Sequence, residues 1–571
     1  MPSPPSSNCA APRPTVGNCP IPPMSASRST GSTAPSRTAR STCNTRRRNT
    51  SRVSCTPAAR TIDARRSNAC AAWRTCSATA SAMHDPRSAP RTKWHWPSWS
   101  RALESALFHG PRVPAGGVFM AGIFKSYDIR GVVPEQLTTG DAYRIGKAAA
   151  AFFKARCIAV GRDARLSSPA LSAALCAGIN AAGCDALDLG MGPTPISYFA
   201  AGSLGRKKVQ GAIQVTASHN PAEYGGFKFT KADAWPMSYD TGLNEIERLH
   251  GKDLPPLAKN RGRTRALNLR AAYVRQCRQF ARLDPRRPLK IAIDTGNGVT
   301  GAWLPDLLKG LPVKALPLFW KPDGRFPHHE ANPLKEENLR DLQAAVVKNR
   351  CDLGVAFDGD GDRVAFVDEC GQAIPGDLAG ALMAKVLLEG EKKLPTVLYD
   401  VRATRALAAV VQEAGGRAIE TRVGHSHIKA GLRREKAVMA AELSGHYYFR
   451  DFFCSDNGET AMFLILTLLS RSGKKASELV APLKRFHHTG EINFHVANAQ
   501  KTLEIVERKF ADQAKAVSKI DGVTIDLGDW WFNLRPSNTE PVVRLNLESL
   551  VSREQMAEKK AEVSAAIQAT A

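Results

Sequence analysis

The sequence predicts an α/β protein of several domains with mixed sheets, and three observations carry that prediction. At 571 residues the chain is too long for one core, and about 150 residues per domain gives three or four domains. From Met120 onward, strand-like stretches such as "CIAVGRD" and "GAIQVTAS" run into glycine or polar turns and then into helix-like stretches such as "SPALSAALCAGINAAG". Such alternation implies parallel or mixed sheets flanked by helices. The pattern reopens at "LKIAIDTGNGVTG" and again after Pro375 near "LPTVLYDVRATRALAAVVQEAG", while "EINFHVANAQKTLEIVERKFADQ" begins a smaller α+β segment.

Bulk properties narrow the class. The longest uncharged apolar run, near Ala461 to Leu469, is far too short to span a bilayer, so no membrane span or membrane partner is expected. The net charge of +26 has the look of a nucleic-acid footprint until it is mapped. Residues 1–119 hold 17 Lys and Arg against 3 Asp and Glu, leaving 62 against 50 for the remaining 452 residues. The body is only mildly basic, which suits a small anionic substrate as well as a polymer. Six of the 13 cysteines precede residue 120, seven follow, and no pair has C-x-x-C spacing, so neither a zinc ribbon nor a thioredoxin motif is present. The seven in the body are scattered singly, as in a reducing cytosol, and a cytoplasmic location is expected.

Residues 1–119 are built of Ser, Thr, Pro, Ala and Arg with almost no apolar periodicity, and are expected not to fold alone. An Arg-rich, acid-poor stretch fits a transit peptide, but the prolines of "PSPPSS" and "PIPPMS" oppose the amphipathic helix such peptides need. A disordered basic arm for nucleic acid or an acidic partner is a second reading. The favoured reading is that translation starts at Met120 and that the upstream residues are non-native translation of GC-rich DNA.

"VTASHNP", residues 215–221, sets Ser218 beside His219 after a run that reads as a strand, Val209 to Val215. Neighbouring side chains on an extended stretch point to opposite faces, so adjacency is weak evidence for a Ser–His pair, and the G-x-S-x-G elbow of hydrolases is absent. "FDGDGDR" is more informative. It places Asp358, Asp360 and Asp362 at alternate positions, with glycines that let the backbone turn all three carboxylates to one centre. Three clustered carboxylates repel unless a cation sits among them. An EF-hand is excluded, because its sixth-position glycine is Arg363 and the flanks "DLGVAF" and "VAFVDE" read as strands. Mg²⁺ with a phosphate oxygen completing the shell fits better.

"GNGVTG", Gly296 to Gly301, follows the strand "LKIAID" and has Asp323 at the distance expected of a ribose-binding acid. An NAD-dependent oxidoreductase is therefore a rival reading, although it explains none of the other loops. No Walker A motif exists. "AELSGH", Ala441 to His446, offers a carboxylate, a hydroxyl and an imidazole suited to sugar hydroxyls. "RPSNTEP", Arg535 to Pro541, offers a guanidinium, two hydroxyls and an amide as a cup for a phosphate dianion.

Taken in order, "YDIRG" (Tyr127 to Gly131), "TASHNP", "DGDGDR", "VGHS" (Val423 to Ser426), "ELSGH" and "RPSNTEP" resemble the α-D-phosphohexomutase family, bacterial phosphomannomutase/phosphoglucomutase group, over nearly all of the 452 residues from Met120. The resemblance implies a four-domain phosphohexomutase architecture: three related α/β domains with mixed sheets and a C-terminal α+β domain around a central cleft. The expected segments are 120–270 with the phosphoserine loop, 271–375 with the metal loop, 376–485 with the sugar-binding loop and 486–571 with the phosphate-binding loop.

The resemblance also implies roles. Ser218 is a phosphate carrier, resting as phosphoserine with a charge of about −1.5 to −2. Mg²⁺ is held by Ser218, Asp358, Asp360 and Asp362, and a hexose 1,6-bisphosphate is the intermediate and activator. Phosphoryl transfer needs positioning and charge neutralisation, so Arg130, His219, Lys228 and Arg363 are expected near the transferring group, with Lys228 or His219 as general acid/base. Tyr127, His425, Glu442, Ser444 and His446 belong to substrate binding, with Glu442 and Ser444 reading the 3- and 4-hydroxyls. Arg535, Ser537, Asn538 and Thr539 hold the non-transferring phosphate.

Relatives commonly read Tyr-Asn-Gly where this chain has Tyr224-Gly225-Gly226, which is expected to loosen the serine loop, and Arg402 stands where several carry lysine. Asn538 replaces the glycine usual in glucosamine-phosphate mutases and argues against an amino sugar. The expected activity is phosphomannomutase, with phosphoglucomutase or dual specificity as the alternative. The expected partner is a phosphosugar rather than a nucleic acid, and oligomeric state and pathway stay open.

Overall fold

The computed structural model describes residues 122–570 apart from 252, 390, 392–393 and 538–541. The expectations for residues 1–119, and for Asn538 and Thr539, lie outside the described residues.

Four sheets follow one another along the chain. The first contains β1 (Ile129–Val132), β2 (Cys157–Arg162), β3 (Asp185–Met191), β4 (Gly211–Val215), β5 (Tyr224–Lys231) and β6 (Thr264–Ala266), ordered β1-β5-β4-β2-β3-β6. The second contains β7 (Leu289–Asp294), β8 (Val313–Leu318), β9 (Leu353–Phe357), β10 (Val364–Val367) and β11 (Ala373–Ile374), ordered β11-β10-β9-β7-β8. The third contains β12 (Thr396–Asp400), β13 (Arg417–Thr421), β14 (Met439–Ala441), β15 (Tyr447–Phe449) and β16 (Ser455–Asp456), ordered β13-β12-β14-β15-β16.

These three sheets repeat one plan. A central strand (β2, β7, β12) pairs in parallel with the next two strands of the chain, and the second of those pairs antiparallel with its successor. Each is a mixed sheet with the third-to-fourth strand turn in an equivalent place. Those turns, β4–β5, β9–β10 and β14–β15, carry "TASHNP", "DGDGDR" and "ELSGH" respectively. The fourth sheet is wholly antiparallel: β17 (His487–His495), β18 (Ala516–Ser518), β19 (Val523–Asp526), β20 (Trp530–Pro536) and β21 (Val542–Ser549), ordered β17-β21-β20-β19-β18.

Sequence periodicity accounts for which side chains reach the loops. In β5, Phe227 and Phe229 enter the apolar core of the first sheet, so alternation delivers Lys228 to the opposite face. In β20 and β21, Phe532, Leu534, Val543, Leu545 and Leu547 pack on the helices Ala499–Ala511 and Arg553–Gln568, leaving Arg535 and Arg544 on the other face. The second and third sheets share one apolar core, filled in part by the helix Gly458–Ser472. That helix contains the apolar run noted above, and no described helix is long and apolar enough to cross a membrane.

Two local expectations are revised. Tyr224-Gly225-Gly226 lies within β5, and does not loosen a loop. Gly226 pairs with Arg130, and a Cβ there would stand 2.2 Å from the Ile129 carbonyl oxygen and 2.8 Å from that of Thr216. The glycines of "GNGVTG" are likewise filled by their own chain. A Cβ on Gly301 would meet the Trp320 carbonyl oxygen at 2.0 Å, and one on Gly298 the Gly359 carbonyl oxygen at 2.9 Å. Asp323, the would-be ribose ligand, is paired with Arg325. Close packing explains this loop without a dinucleotide.

Candidate active site

Ser218 is buried in a left-handed backbone conformation at φ 51°. Its Oγ donates to Asp358 Oδ2 at 2.8 Å and lies 3.2 Å from His219 Nδ1. The expectation that Ser218 and His219 point apart assumed extended backbone, and the positive φ brings the two side chains together instead. Thr216 Oγ1 accepts from the Ser218 amide at 2.8 Å and helps to hold this turn.

Arg165, which sequence reasoning did not single out, organises the loop from beneath. It is fully buried, its Nε stands 3.2 Å from Asp163, and its two terminal nitrogens donate to the backbone carbonyls of Ser218, Asn220, Pro221 and Tyr224. The Phe326 ring stacks at 5.0 Å on its guanidinium. Four inward-turned carbonyls need a cation or several donors, and one planar fork supplies them.

Asp358, Asp360 and Asp362 converge with one oxygen of each within 4.8 Å of the others, all buried. Lys228 Nζ donates to Asp360 Oδ2 at 2.8 Å and also contacts Asp362 Oδ2, while Thr194 and Thr216 hydroxyls donate to Asp360. Burial pulls the Lys228 ammonium down, but Asp360 and Asp362 more than offset it and its pKa is raised. Burial, then repulsion by Asp360 and Asp362, pushes Asp358 well above the usual carboxylate range. Asp360 Oδ1 is buried with no hydrogen-bond partner among the described residues, and Asp362 Oδ1 has only His446 Nε2 at 3.5 Å near it. All-oxygen donors, mutual repulsion and unmatched acceptors fit a hard divalent cation.

The remaining predicted groups surround this centre. Arg130 donates from Nε to Asp128 at 2.8 Å and from Nη1 to the Ala217 carbonyl and Asn220 Oδ1. Burial, then the charges of Arg363, Arg130 and Lys228, hold His219 well below the ordinary histidine range, so it is a neutral imidazole. Arg363 Nε lies 3.2 Å from His446 Nε2, which is 3.5 Å from Asp362. Ser444 Oγ bridges His446 Nδ1 and Glu442 Oε2 at 3.2 Å each, and Tyr448 donates to Glu442 Oε1. Tyr127 donates to the Val423 carbonyl at 3.4 Å and packs edge-on against His425, with ring centroids 5.3 Å apart. Burial and then the Lys429 charge push His425 well below its ordinary range.

Arg402 chelates Asp400 through two nitrogens at 3.0 and 2.8 Å and reaches Glu442 at 3.4 Å. In the last sheet Arg535 is joined by Arg544, its direct cross-strand partner, and Arg544 Nη2 lies 3.5 Å from Ser537 Oγ. Arg544 and Glu491, which lies between the two arginines, were missed because they stand outside the motif strings.

A mixed-sheet scaffold whose three equivalent turns present a buried serine, three converging carboxylates and a hydrogen-bonded Glu442, Ser444 and His446 is suited to phosphoryl transfer. The phosphoglucomutase/phosphomannomutase alpha/beta/alpha domains I, II and III match residues 121–254, 271–371 and 375–486, and the C-terminal domain matches residues 491–566. The chain is 41% identical to a phosphomannomutase of Escherichia coli strain K12 over 75% of this chain and 94% of the relative. It is 38% identical to a protein named phosphohexose mutases in Xanthomonas campestris pv. campestris strain B100, over 75% and 94%. A solved phosphoglucomutase/phosphomannomutase family protein of Burkholderia thailandensis is 35% identical and superposes with a TM-score of 0.72 over 78% of this chain and 97% of that one. This chain belongs to the phosphoglucomutase/phosphomannomutase family, the α-D-phosphohexomutases.

Proposed function

We propose that the protein interconverts mannose 1-phosphate and mannose 6-phosphate through a phosphoserine at Ser218 and a hexose 1,6-bisphosphate intermediate. The observation that carries the chemistry is the Ser218 hydroxyl, 2.8 Å from Asp358 at the rim of the three-carboxylate cluster. Identity of 41% to phosphomannomutases favours mannose phosphates, and the match to the phosphoglucomutase/phosphomannomutase domains supports glucose phosphates as second substrates.

Asp358, Asp360 and Asp362, with the Ser218 oxygen, would hold Mg²⁺, which when bound offsets the charge of the phosphoryl group. The chain's own residues do the rest. A substrate hydroxyl attacks the phosphorus carried by Ser218, a new P–O bond forms, and the P–Oγ bond breaks. Arg130, Lys228 and Arg363 surround the group with positive charge, so the transfer needs little reorganisation. The hydroxyl proton needs an acceptor. The neutral imidazole of His219, 3.2 Å from Ser218 Oγ, supports His219 in that role, with Lys228 kept cationic by its two carboxylates.

Glu442 and Ser444 would orient the sugar through its hydroxyls, and Arg535 with Ser537, Asn538 and Thr539 would grip the phosphate that is not transferred. The bisphosphate must then turn over in the cleft, so that grip has to accept either end of the sugar. A coupled assay comparing mannose, glucose and glucosamine phosphates tests the assignment. Mannose 1-phosphate turnover above that of glucosamine phosphate is expected, and the reverse order would reject the substrate.

A further inference from the structure

Arg535 and Arg544 face each other across β20 and β21, on the face of the sheet turned away from its apolar core. Like charges directly opposite in a sheet repel, so the pair needs an anion. In this structure Glu491 of β17 supplies it. Its Oε2 accepts from Arg535 Nη2 at 2.6 Å, and its Oε1 accepts from Arg544 Nη1 at 3.2 Å. Arg402, from the turn after β12, stands 3.6 Å from the same Oε2. Burial works against ionisation of Glu491, but Arg402, Arg535 and Arg544 outweigh it and hold the carboxyl below its ordinary range.

A carboxylate and a phosphate offer a forked guanidinium the same pattern of acceptors. We propose that Glu491 is a positioning residue that occupies the two guanidiniums in place of phosphate, keeps them aligned in the ligand-free cleft, and is displaced when a sugar phosphate takes Arg535 and Arg544. This inference rests on the reading that Arg535 holds the non-transferring phosphate, and it adds Arg544 to that grip.

The displaced carboxylate has somewhere to go. Asn546 is the cross-strand partner of Glu491 between β17 and β21, on the same face, and is fully buried. Neither its amide nitrogen nor its amide oxygen has a hydrogen-bond partner among the described residues. Buried amides are ordinarily satisfied, so the Asn546 Nδ2 is a donor suited to receive Glu491 in a second arrangement. The exchange also has a reader. Arg402 ties Glu491 to Asp400 and to Glu442, the carboxylate proposed above to orient the sugar, so loss of the Glu491 contact leaves Arg402 paired with those two carboxylates among the described residues. Occupation of the phosphate grip is thereby transmitted to the sugar-reading turn of the third sheet.

The test is calorimetric titration of inorganic phosphate into the full chain and into Glu491→Gln. A ligand that must displace a resident group binds with its intrinsic affinity multiplied by the fraction of time the site is free, so removing the carboxylate tightens phosphate binding, by about tenfold if Glu491 occupies the site nine-tenths of the time. The KM for mannose 1-phosphate should fall in the same variant. Equal or weaker phosphate binding by Glu491→Gln would overturn the proposal. So would a gain that persists in Glu491→Gln/Arg544→Gln, since the phosphate would then be bound elsewhere. If Glu491→Gln does not fold, Glu491→Asp, too short to span both arginines, should bind phosphate more tightly than the parent, and failure to do so rejects the idea. Absence of hexose phosphate turnover by the parent chain would reject the mutase reading, while the phosphate ratio would still decide the role of Glu491.

Discussion

Arg165 Nη2 lies 2.9 Å from the carbonyl oxygen of Ser218, and the same guanidinium binds three further carbonyls of that turn. The left-handed conformation that sets the Ser218 hydroxyl against Asp358 is therefore held by a cation 53 residues away in sequence. Arg165 reaches no reacting atom itself.

Arg165→Lys should lower kcat with little change in KM, because an ammonium cannot satisfy four carbonyls in a planar fan. Misplacement of a reacting group by about 1 Å costs roughly a hundredfold, and a loss of that order is expected. Steady-state kinetics across pH separates this from general destabilisation: a positioning defect lowers the whole kcat profile without moving its inflections.

Mg²⁺ should raise the melting temperature of the protein, since it offsets the repulsion among Asp358, Asp360 and Asp362 only in the folded state. In Asp358→Asn the Mg²⁺-dependent rise should shrink or vanish, and the variant should be at least as stable as the parent in chelator. Thermal melts with Mg²⁺ and with chelator check both statements. A larger rise in the variant would contradict the assignment.

Glu459 opens the helix Gly458–Ser472, accepts from the Tyr273 hydroxyl at 3.0 Å, and is pushed up to about 8, principally by burial. A carboxyl raised above its unfolded value stabilises fully below about 4.5, and that contribution is lost as pH rises through about 8. Between pH 5 and pH 8 the melting temperature of the parent should fall by several degrees more than that of Glu459→Gln, since the other shifted groups are common to both. Scanning calorimetry at the two values distinguishes them.

Gly226→Ala should cost about 1–3 kcal/mol, the usual range for forcing atoms into a packed interior. Its Cβ meets two backbone carbonyls that cannot rotate away, and relief would pull β1 and Arg130 off the serine loop. Chemical denaturation with a parallel activity assay should show both losses together.

Much of the site was legible because its chemistry is concentrated in short strings. Alternating Asp and Gly between two strand-like runs describes three carboxylates around one point, and the structure brings Asp358, Asp360 and Asp362 together as expected. Equivalent turns of three similar sheets then gather "TASHNP", "DGDGDR" and "ELSGH", which strand and helix alternation could suggest but not align. What stayed hidden acts through backbone or across long separations. Arg165 binds carbonyls, which carry no sequence signal, and Glu491 meets Arg535 and Arg544 only through the register of three strands. The contact between Ser218 and His219 depended on one positive φ, and serine has no strong tendency to declare it.

The most direct test of the central claim follows the phosphoryl group. The protein and Ser218→Ala are each incubated with Mg²⁺ and hexose 1,6-bisphosphate labelled with radioactive phosphorus, then separated from small molecules and digested for peptide mapping. Label recovered on the peptide containing Ser218, transferable to mannose 1-phosphate or mannose 6-phosphate and absent from the variant, is the predicted result. Turnover of mannose phosphates with no label on Ser218, or undiminished turnover by Ser218→Ala, would contradict the account.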